Sequence, residues 1–263
     1  MKIKSLFLVG LGLCFGMLPA LAIAAPHCLQ GQLPLVLNPY LAGKIQTIRY
    51  EGYSVIYSDV TETPLASAEH LTREHLEAPH PPRSNDFHPD KHIPVQYRSE
   101  LSDYRGSGFD RGHMFPAEDA WNTLVEHQSF SLANMIPQNP DDNRHLWAGI
   151  ESSTRYLADK AGSIYVVTGP IFYGHNWQRL DGHVIVPTYI FKAVYDPVRN
   201  AAAAYLVRNA SGTRYAVISI AKLDQISGLS VFPALPRDIR MLQLPRPWMR
   251  DHLRAVRDQN IVP

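Results

Sequence analysis

Apolar and polar residues alternate along several short stretches of the chain, the period-two pattern typical of half-buried β-strands. Residues 45–57 alternate around Glu51-Gly52, which predicts a β-hairpin that turns at this pair. Further strand-like runs, rich in β-branched and apolar residues, lie at 163–168, 184–194, 202–207 and 215–220. Together these runs predict an antiparallel sheet as the core.

Other stretches predict helices and one long loop. Residues 119–127 suggest a short helix, and residues 143–160 a longer one with Asp141-Asp142 as its cap and Gly162 as its stop. Residues 65–76 fit a strand and a helix equally well. Residues 78–103 contain five prolines and predict a long ordered loop, a feature that usually carries function in a compact domain. The fold class is therefore α+β.

The N-terminus has the pattern of a targeting segment. Lys2 and Lys4 precede an apolar stretch at 6–18, and a run of small residues at 20–25 supplies a cleavage site. The apolar stretch is shorter than the roughly 20 residues of a transmembrane helix. The sequence predicts a signal peptide at 1–24, a single mature domain at 25–263 with no membrane anchor, and a periplasmic or secreted location.

Cleavage at this point would leave one cysteine. Cys14 would be removed with the signal peptide, so Cys28 could form no internal disulfide. An odd number of cysteines in an exported protein suggests a disulfide between two molecules. Because Cys28 lies near the new N-terminus, we expect a free thiol on a loose tail.

Charge is unevenly distributed along the chain. Residues 199–263 carry ten Lys or Arg and four Asp or Glu, whereas the whole chain is close to neutral. A strongly basic nucleic-acid coat is excluded, so any phosphate-binding groove must be local. The basic C-terminal segment points weakly towards polyanions, and a solvated helix face along Arg250, Arg254 and Arg257 explains it equally well.

The densest chemistry lies at residues 104–113, which hold three glycines, two arginines, Asp110 and His113. Hydrolysis of a phosphodiester needs an activated water, neutralised phosphoryl charge and help for the leaving oxygen. A histidine base and a divalent cation can supply all three. We expect His113 to be the base; the alternative is a buried histidine with satisfied hydrogen bonds.

A metal site is suggested further along the chain. If Asn143 opens the longer helix, Trp147 and Glu151 stand one and two turns above it on nearly the same face. The Asn143 amide oxygen could bind a hard cation such as Mg²⁺, and Glu151 could hold one of its waters. Asn143 could also be a helix cap, and Trp147 is more often a core residue.

Two arginines are candidates for holding phosphate. The guanidinium groups of Arg83 and Arg111 match phosphate oxygens, although each could instead serve in a structural salt bridge. Asp110 is assigned to structure, fixing the turn or pairing with an arginine.

Taken together, these residues resemble a known family. The stretch Gly106-Ser-Gly-Phe-Asp-Arg-Gly-His113, then Asn134-x-x-Pro137-Gln138, Asn143, Trp147 and Glu151, is similar to the motif of the DNA/RNA non-specific endonucleases. The likeness is greatest to the endonuclease G branch and spans about residues 52–223, leaving an irregular basic tail at 224–263. It implies the ββα-metal (His-Me finger) fold, a central antiparallel sheet flanked by helices.

The resemblance also implies roles for single residues. It makes His113 the general base, Asn143 the metal ligand and Glu151 a residue in the water shell of the metal. The cofactor it implies is Mg²⁺, with Mn²⁺ or another divalent cation tolerated.

The same resemblance extends to the substrate. It places Arg111, and by a looser alignment Arg83, on the substrate as catalytic and nucleic-acid-binding residues, and Asn134 among the nucleic-acid contacts. DNA and RNA are the implied substrates, cleaved to 5′-phosphate products, and homodimers are common among such nucleases.

One position departs from the family pattern. Glu118 stands five residues after the histidine, where a small residue is usual. Facing the groove, its carboxylate would repel substrate or recruit a cation; facing outward, it would be inert.

Two other functions are alternatives to nuclease activity. The first is a non-catalytic polyanion-binding protein on a nuclease scaffold. The second is a histidine-rich zinc protein, for which the spacing of His80, His88 and His92 matches no zinc signature.

Overall fold

The computed structural model describes residues 27–249 and 253–263. The signal peptide predicted at 1–24 and the side chain of Arg250 lie outside this part of the chain. Among the helices described, none has both the length and the apolar character needed to cross a membrane.

Fifteen strands occur in the described residues, most of them short. They are β1 Leu35–Val36, β2 Ile45–Arg49, β3 Tyr53–Ser58, β4 Thr63–Thr72, β5 Asp110–His113, β6 Met135–Gln138, β7 Ser163–Ile171, β8 Arg179–Leu180, β9 Val184–Ile185, β10 Tyr189–Asp196, β11 Ala201–Arg208, β12 Arg214–Ile218, β13 Leu229–Ser230, β14 Arg240–Met241 and β15 Val256–Arg257.

The α-helices are fewer. They are α1 Pro39–Ala42, α2 Arg73–Glu77, α3 Leu101–Tyr104, α4 Thr123–Ser129, α5 Ala148–Ala161 and α6 Ile220–Ser227. A π-helical segment, Asp142–Trp147, runs directly into α5.

A nine-stranded sheet forms the centre of the described fold, in the order β15-β12-β11-β10-β7-β4-β3-β2, with β14 beside β11. The long strands pair antiparallel, and only the two-residue strands β14 and β15 join in parallel. The predicted central antiparallel sheet is confirmed.

Helices cover both faces of this sheet. Because successive side chains of a strand point to opposite faces, Phe191 packs in the core with Leu223 of α6, while Ile190 packs in the core with Ile150 of α5. The longer helix predicted from the sequence therefore lies on one face, and α6 lies on the other.

Several predicted strands are confirmed with shifted ends. The hairpin at 45–57 turns at Glu51-Gly52 as expected. The ambiguous stretch 65–76 is strand as far as Thr72, whose hydroxyl then caps α2. The single strand expected at 184–194 is wrong, since residues 186–188, including Pro187, separate β9 from β10. The strand expected at 215–220 ends at Ile218, because Ser219 caps α6.

The helix that carries Asn143 begins earlier than predicted. Asn139 is its cap: the Asn139 Oδ1 atom accepts hydrogen bonds from the backbone N–H groups of Asp141 (3.0 Å) and Asp142 (3.2 Å). Pro140 occupies the first helical position, where its missing N–H costs nothing. The cap predicted at Asp141-Asp142 is therefore wrong, whereas the stop at Gly162 is confirmed by its φ of 88°.

The short helix expected at 119–127 is also displaced. It begins at Thr123 under an Asn122 cap and ends at Ser129. Asp119 instead lies in a 3₁₀ turn, where it is buried and paired with Arg155 at 3.0 Å. A buried carboxylate of this kind is tolerated only because it is paired.

Cys28 does not lie on a loose tail. The side chain is 4% exposed and belongs to the apolar core that contains Phe191 and Leu223. Burial raises the pKa of the thiol to about 12. The thiol is free, as expected, but its placement on a loose tail was wrong, because the residues near 28 pack against the sheet.

The segment 224–263 is less irregular than expected. Helix α6 reaches Ser227, the segment adds β13, β14 and β15, and the 3₁₀ turn Gln259–Ile261 lies near its end. Arg254 and Arg257 do not lie on a helix, so the proposed solvated helix face is not present there.

Candidate active site

Strands β5 and β6 and the helix after them form a ββα unit at one side of the sheet. The two strands pair antiparallel, with Asp110 opposite Gln138 and His113 opposite Met135. The chain enters the helix directly after β6, which places Asn143 close to β5. One groove of about 560 Å³ is lined by the predicted site residues His113, Asn143, Glu151, Arg83 and Arg111.

The pairing of β5 and β6 depends on a glycine at position 112. A Cβ atom at this position would lie 2.1 Å from the Gln138 Oε1 atom, far inside van der Waals contact. Glycine is the residue that allows such a close approach. Gly112 therefore lets β6 lie against the backbone that carries His113.

His113 is buried and held by aromatic rings. The Phe130 ring stands edge-on to the imidazole at 5.0 Å between centroids, and the Phe87 ring lies at 5.7 Å. The Nε2 atom of His113 has no hydrogen-bond partner. A structural histidine with satisfied hydrogen bonds would not leave this atom unpaired, so the geometry favours a chemical role.

Three effects keep the imidazole neutral. Burial, followed by the charges of Arg83 and Arg111, lowers the pKa of His113 from 6.5 to about 3. At neutral pH the imidazole is therefore unprotonated, which is the form that a general base must have.

The orientation of Asn143 is fixed by Asp110. The Asn143 Nδ2 atom donates to Asp110 Oδ2 at 2.9 Å. Because the amide nitrogen is the donor in this bond, the amide oxygen is left for another partner. Asn139 already caps the helix, so the cap role considered for Asn143 is excluded.

The Asp110 carboxylate also accepts a bidentate pair of hydrogen bonds from Arg144, the residue after Asn143. Arg144 donates to the two carboxylate oxygens, with Nε at 2.9 Å and Nη2 at 2.7 Å. The structural role expected for Asp110, pairing with an arginine, is confirmed. This carboxylate joins the first residue of β5 to the first turns of the helix.

Glu151 lies two turns beyond Asn143 at the same groove. Burial raises the pKa of its carboxyl to about 7, against the opposing effect of the positive charges of Lys192 and Arg155. A cation in the groove would favour the ionised carboxylate. Trp147, between the two, is fully buried and is a core residue.

These donors fit a hard divalent cation. The groove offers one amide oxygen from Asn143 and one carboxylate from Glu151, and oxygen ligands with several retained waters are what Mg²⁺ accepts. Such a cation needs no imidazole or thiolate ligand, so His113 stays available as a base.

Both arginines lie over aromatic rings. The Arg111 guanidinium is 4.2 Å from the centroid of Phe87, and that of Arg83 is 5.1 Å from the centroid of Phe130. Arg83 also pairs with Glu118, at 2.9 Å between Nη1 and Oε1. Glu118 therefore faces the groove, and its charge is already engaged with an arginine.

Asn134 is a positioning residue. Its side chain is fully buried and bonds to backbone atoms of Phe115, at N and O, and of Ser129, at O. The nucleic-acid contact predicted for Asn134 does not fit this burial. Instead it holds the chain just after His113.

A buried charge network beneath the groove was missed in the sequence. Arg155 bonds to Asp119, and Lys192, which is 1% exposed, donates to Thr168 at 2.7 Å. Burial raises the pKa of nearby Glu69 well above its usual range. Arg155 stands four residues after Glu151, the spacing of one helix face, and that signal could have revealed it.

Comparison with known proteins gives the same assignment. The family model described as DNA/RNA non-specific endonuclease matches residues 34–238. The chain belongs to the DNA/RNA non-specific endonuclease family. The family and the ββα-metal fold inferred from the sequence are thereby confirmed, and membership makes the chain a nuclease that acts on nucleic acids.

Individual relatives agree. Nuclease C1 of Cunninghamella echinulata var. echinulata is 34% identical over 206 residues, which cover 70% of this chain and 82% of that protein. Mitochondrial endonuclease G of Homo sapiens is 33% identical over 165 residues, which cover 59% of this chain and 56% of that protein.

A solved structure is also similar. A chain in the crystal structure of the EndoG/EndoGI complex, described as showing the mechanism of EndoG inhibition, matches with a TM-score of 0.68 and 26% identity. The match covers 74% of this chain and 88% of that one.

The low pKa of His113 predicts a pH dependence of stability. Between pH 6.5 and about 3, the unfolded chain holds a proton on this imidazole that the folded chain does not. The free energy of unfolding should therefore fall as the pH is lowered through this window. Replacing the residue (His113→Ala) should make the fall shallower.

Urea unfolding of wild type and His113→Ala at pH 7.5 and pH 5 measures this difference. His175→Ala, which removes an exposed histidine outside the groove, is the control. Parallel pH dependence of wild type and His113→Ala would show that the imidazole is not held neutral by its surroundings.

Proposed function

We propose that this chain is an exported, divalent-metal-dependent, sugar-non-specific endonuclease. It hydrolyses phosphodiester bonds of DNA and RNA to 5′-phosphate products. The observation that carries the proposal is that His113 and Asn143 line the same groove. The Nε2 atom of His113 has no hydrogen-bond partner, and the bond from the Asn143 amide nitrogen to Asp110 leaves the Asn143 amide oxygen available. A general base can activate the attacking water, and a bound cation can neutralise the phosphoryl charge and help the leaving oxygen, which are the needs of phosphodiester hydrolysis.

In the proposed mechanism, the neutral imidazole of His113 removes a proton from the attacking water. Arg83 and Arg111 bind the phosphoryl oxygens. Both charges lower the pKa of His113 in the free protein. A bound phosphate would neutralise them and raise this pKa, which makes His113 a stronger base when substrate is present.

Asn143 and Glu151 would hold the cation, Asn143 directly and Glu151 through water. A bound Mg²⁺ supplies charge neutralisation on the phosphoryl and leaving oxygens. The donor set supports Mg²⁺, and Mn²⁺ can take the same oxygen ligands. Asp110 acts on the cation site through the orientation of Asn143.

Location and assembly belong to the same proposal. Lys2 and Lys4, followed by an apolar stretch that only small glycines interrupt, support export to the periplasm or the medium. Several relatives are named as mitochondrial nucleases, so the proposed export departs from the location in their names. A homodimer is proposed from the resemblance alone.

The Arg83–Glu118 pair favours a second candidate function. A carboxylate that keeps Arg83 from the phosphoryl group would impair turnover, while the ten Lys or Arg of residues 199–263 could still bind nucleic acid. This candidate predicts salt-dependent binding that survives loss of His113 and shows no turnover.

Digestion of plasmid DNA and of RNA by the purified mature protein tests the two functions. We expect cleavage in Mg²⁺ that EDTA abolishes, and a loss of roughly 10²- to 10⁴-fold in His113→Ala, the range for removal of a general base. His175→Ala is the control and should cleave like wild type. Absence of cleavage in Mg²⁺, or equal cleavage by His113→Ala, would reject the nuclease mechanism.

The ion pair between Arg83 and Glu118 predicts an effect on substrate affinity. Phosphate must displace Glu118 to reach Arg83, so Glu118→Gln should lower KM by about two- to fivefold, the factor that a surface ion pair of up to about 1 kcal/mol is worth. The slope of the logarithm of the duplex-binding constant against the logarithm of the salt concentration should become more negative by up to about 0.9, the value for one more phosphate contact.

Glu51→Gln is the matched control, because it removes the same charge at the exposed hairpin turn. Nitrocellulose-filter binding at several salt concentrations, together with initial rates, gives both quantities. A KM that stays constant or rises in Glu118→Gln would mean that the carboxylate holds Arg83 in its productive position.

A further inference from the structure

A second group of metal-ligating side chains lies outside the groove, where the proline-rich loop meets α4. His88 of the loop is fixed by the backbone: its N–H donates to the Phe130 carbonyl at 3.2 Å, and its own carbonyl accepts from Leu132 N–H at 2.8 Å. His127 lies in the last turn of α4, three residues before Phe130. The two histidines are 39 positions apart in sequence, but their segments are joined by hydrogen bonds.

Asp86 completes the group. The imidazole rings of His88 and His127 lie 4.5 Å apart between centroids, with 13° between their planes, so the half-exposed His127 ring must turn for both rings to direct a nitrogen at one ion. The Asp86 Oδ2 atom is 3.3 Å from His127 Nδ1. One ligand atom from each of the three residues lies within 4.8 Å of the other two.

The tautomer of His88 suits metal binding. Its Nδ1 atom lies 2.8 Å from the backbone carbonyl oxygen of Asp86, so Nδ1 carries the hydrogen and Nε2 presents a lone pair. Donation from the second ring nitrogen to a backbone carbonyl is the usual way that proteins orient a metal-binding histidine.

The donor set indicates which cation would bind. Two imidazoles and one carboxylate, completed by a water as fourth ligand, are a ligand set typical of Zn²⁺. Mg²⁺ and Ca²⁺ take oxygen ligands instead. This group therefore differs in chemistry from the oxygen donors of Asn143 and Glu151.

A comparable group, formed by Asp103, Asp181 and His183, shows what an internally satisfied cluster looks like. There His183 pairs through Nδ1 with Glu62 at 2.5 Å and through Nε2 with Asp103 at 3.4 Å. Both ring nitrogens are engaged. At the first group, the side chains of Asp86 and His127 are 63% and 52% exposed and open to solvent.

We propose that Asp86, His88 and His127 bind one zinc-class divalent cation, separate from the cation of the catalytic groove. The bound ion fastens the proline-rich loop to α4. Phe87 lies between two of the ligands, and its ring contacts Phe130 at 4.9 Å and supports the Arg111 guanidinium. Occupancy of this site therefore fixes the aromatic wall beside His113.

The test is zinc binding by the full mature chain, measured in the Asn143→Ala background so that the catalytic groove does not contribute. Metal-stripped protein competes with a chromophoric chelator for Zn²⁺. We expect one bound Zn²⁺ in Asn143→Ala, and at least tenfold weaker binding when His88→Ala or His127→Ala is added. His175→Ala in the same background is the control and should bind normally.

Unfolding temperatures with and without Zn²⁺ provide a second measurement, because a ligand that binds only the folded chain raises its Tm. Zinc should raise the Tm of Asn143→Ala and leave that of Asn143→Ala/His127→Ala unchanged. No zinc binding in Asn143→Ala, or equal binding after loss of either histidine, would overturn the proposal. Neither readout needs nuclease activity, so the outcome is independent of the proposed catalytic function.

Discussion

The hydrogen bonds of the Asp110 carboxylate connect the two halves of the candidate site. Asp110 begins the strand that ends at His113, and it accepts hydrogen bonds from Asn143 and Arg144 at the start of the following helix. The strand thus carries the proposed base, the helix carries the proposed cation ligand, and one carboxylate links the two. Charge-assisted, bidentate bonds of this kind combine strength with a defined geometry.

The site is supported from below by buried charge, which is costly unless it is paired. Arg155 and Asp119 form one such pair, and Lys192 bonds to Thr168 beneath Trp147. These positive groups face Glu151 and favour its ionised form, whereas burial favours the protonated one. With a pKa of about 7, the Glu151 carboxyl is close to half ionised at neutral pH, and a cation bound nearby would favour the ionised form.

Much of the fold and the site could be predicted from the sequence, because the signals were local. The alternation in 45–57 specified a hairpin, and Gly162 specified the end of a helix. His113 could be singled out because it lies in a dense local motif, whereas Asn143 could also have been a helix cap and was assigned through the resemblance to the family. The sequence shows a glycine at position 112, but it does not show that the Gln138 side chain fills the space a Cβ atom would need there.

The remaining features depend on contacts between distant segments. Asn134 was assigned to the substrate because it belongs to the motif, whereas three-dimensional packing buries it completely. Cys28 was placed on a loose tail because sequence position says nothing about docking against a sheet. The Asp86, His88 and His127 group was invisible for the same reason, since spacing along the chain does not report that two segments share backbone hydrogen bonds.

The central claim is that His113 and Asn143 act at one reaction centre. Initial rates of DNA cleavage at saturating Mg²⁺ for His113→Ala, Asn143→Ala and the double variant test it most directly. Residues that act as a unit are strongly non-additive, so the double variant should be no slower than the slower single variant. Losses that multiply in the double variant would contradict the account, and so would a single variant that cleaves at the wild-type rate.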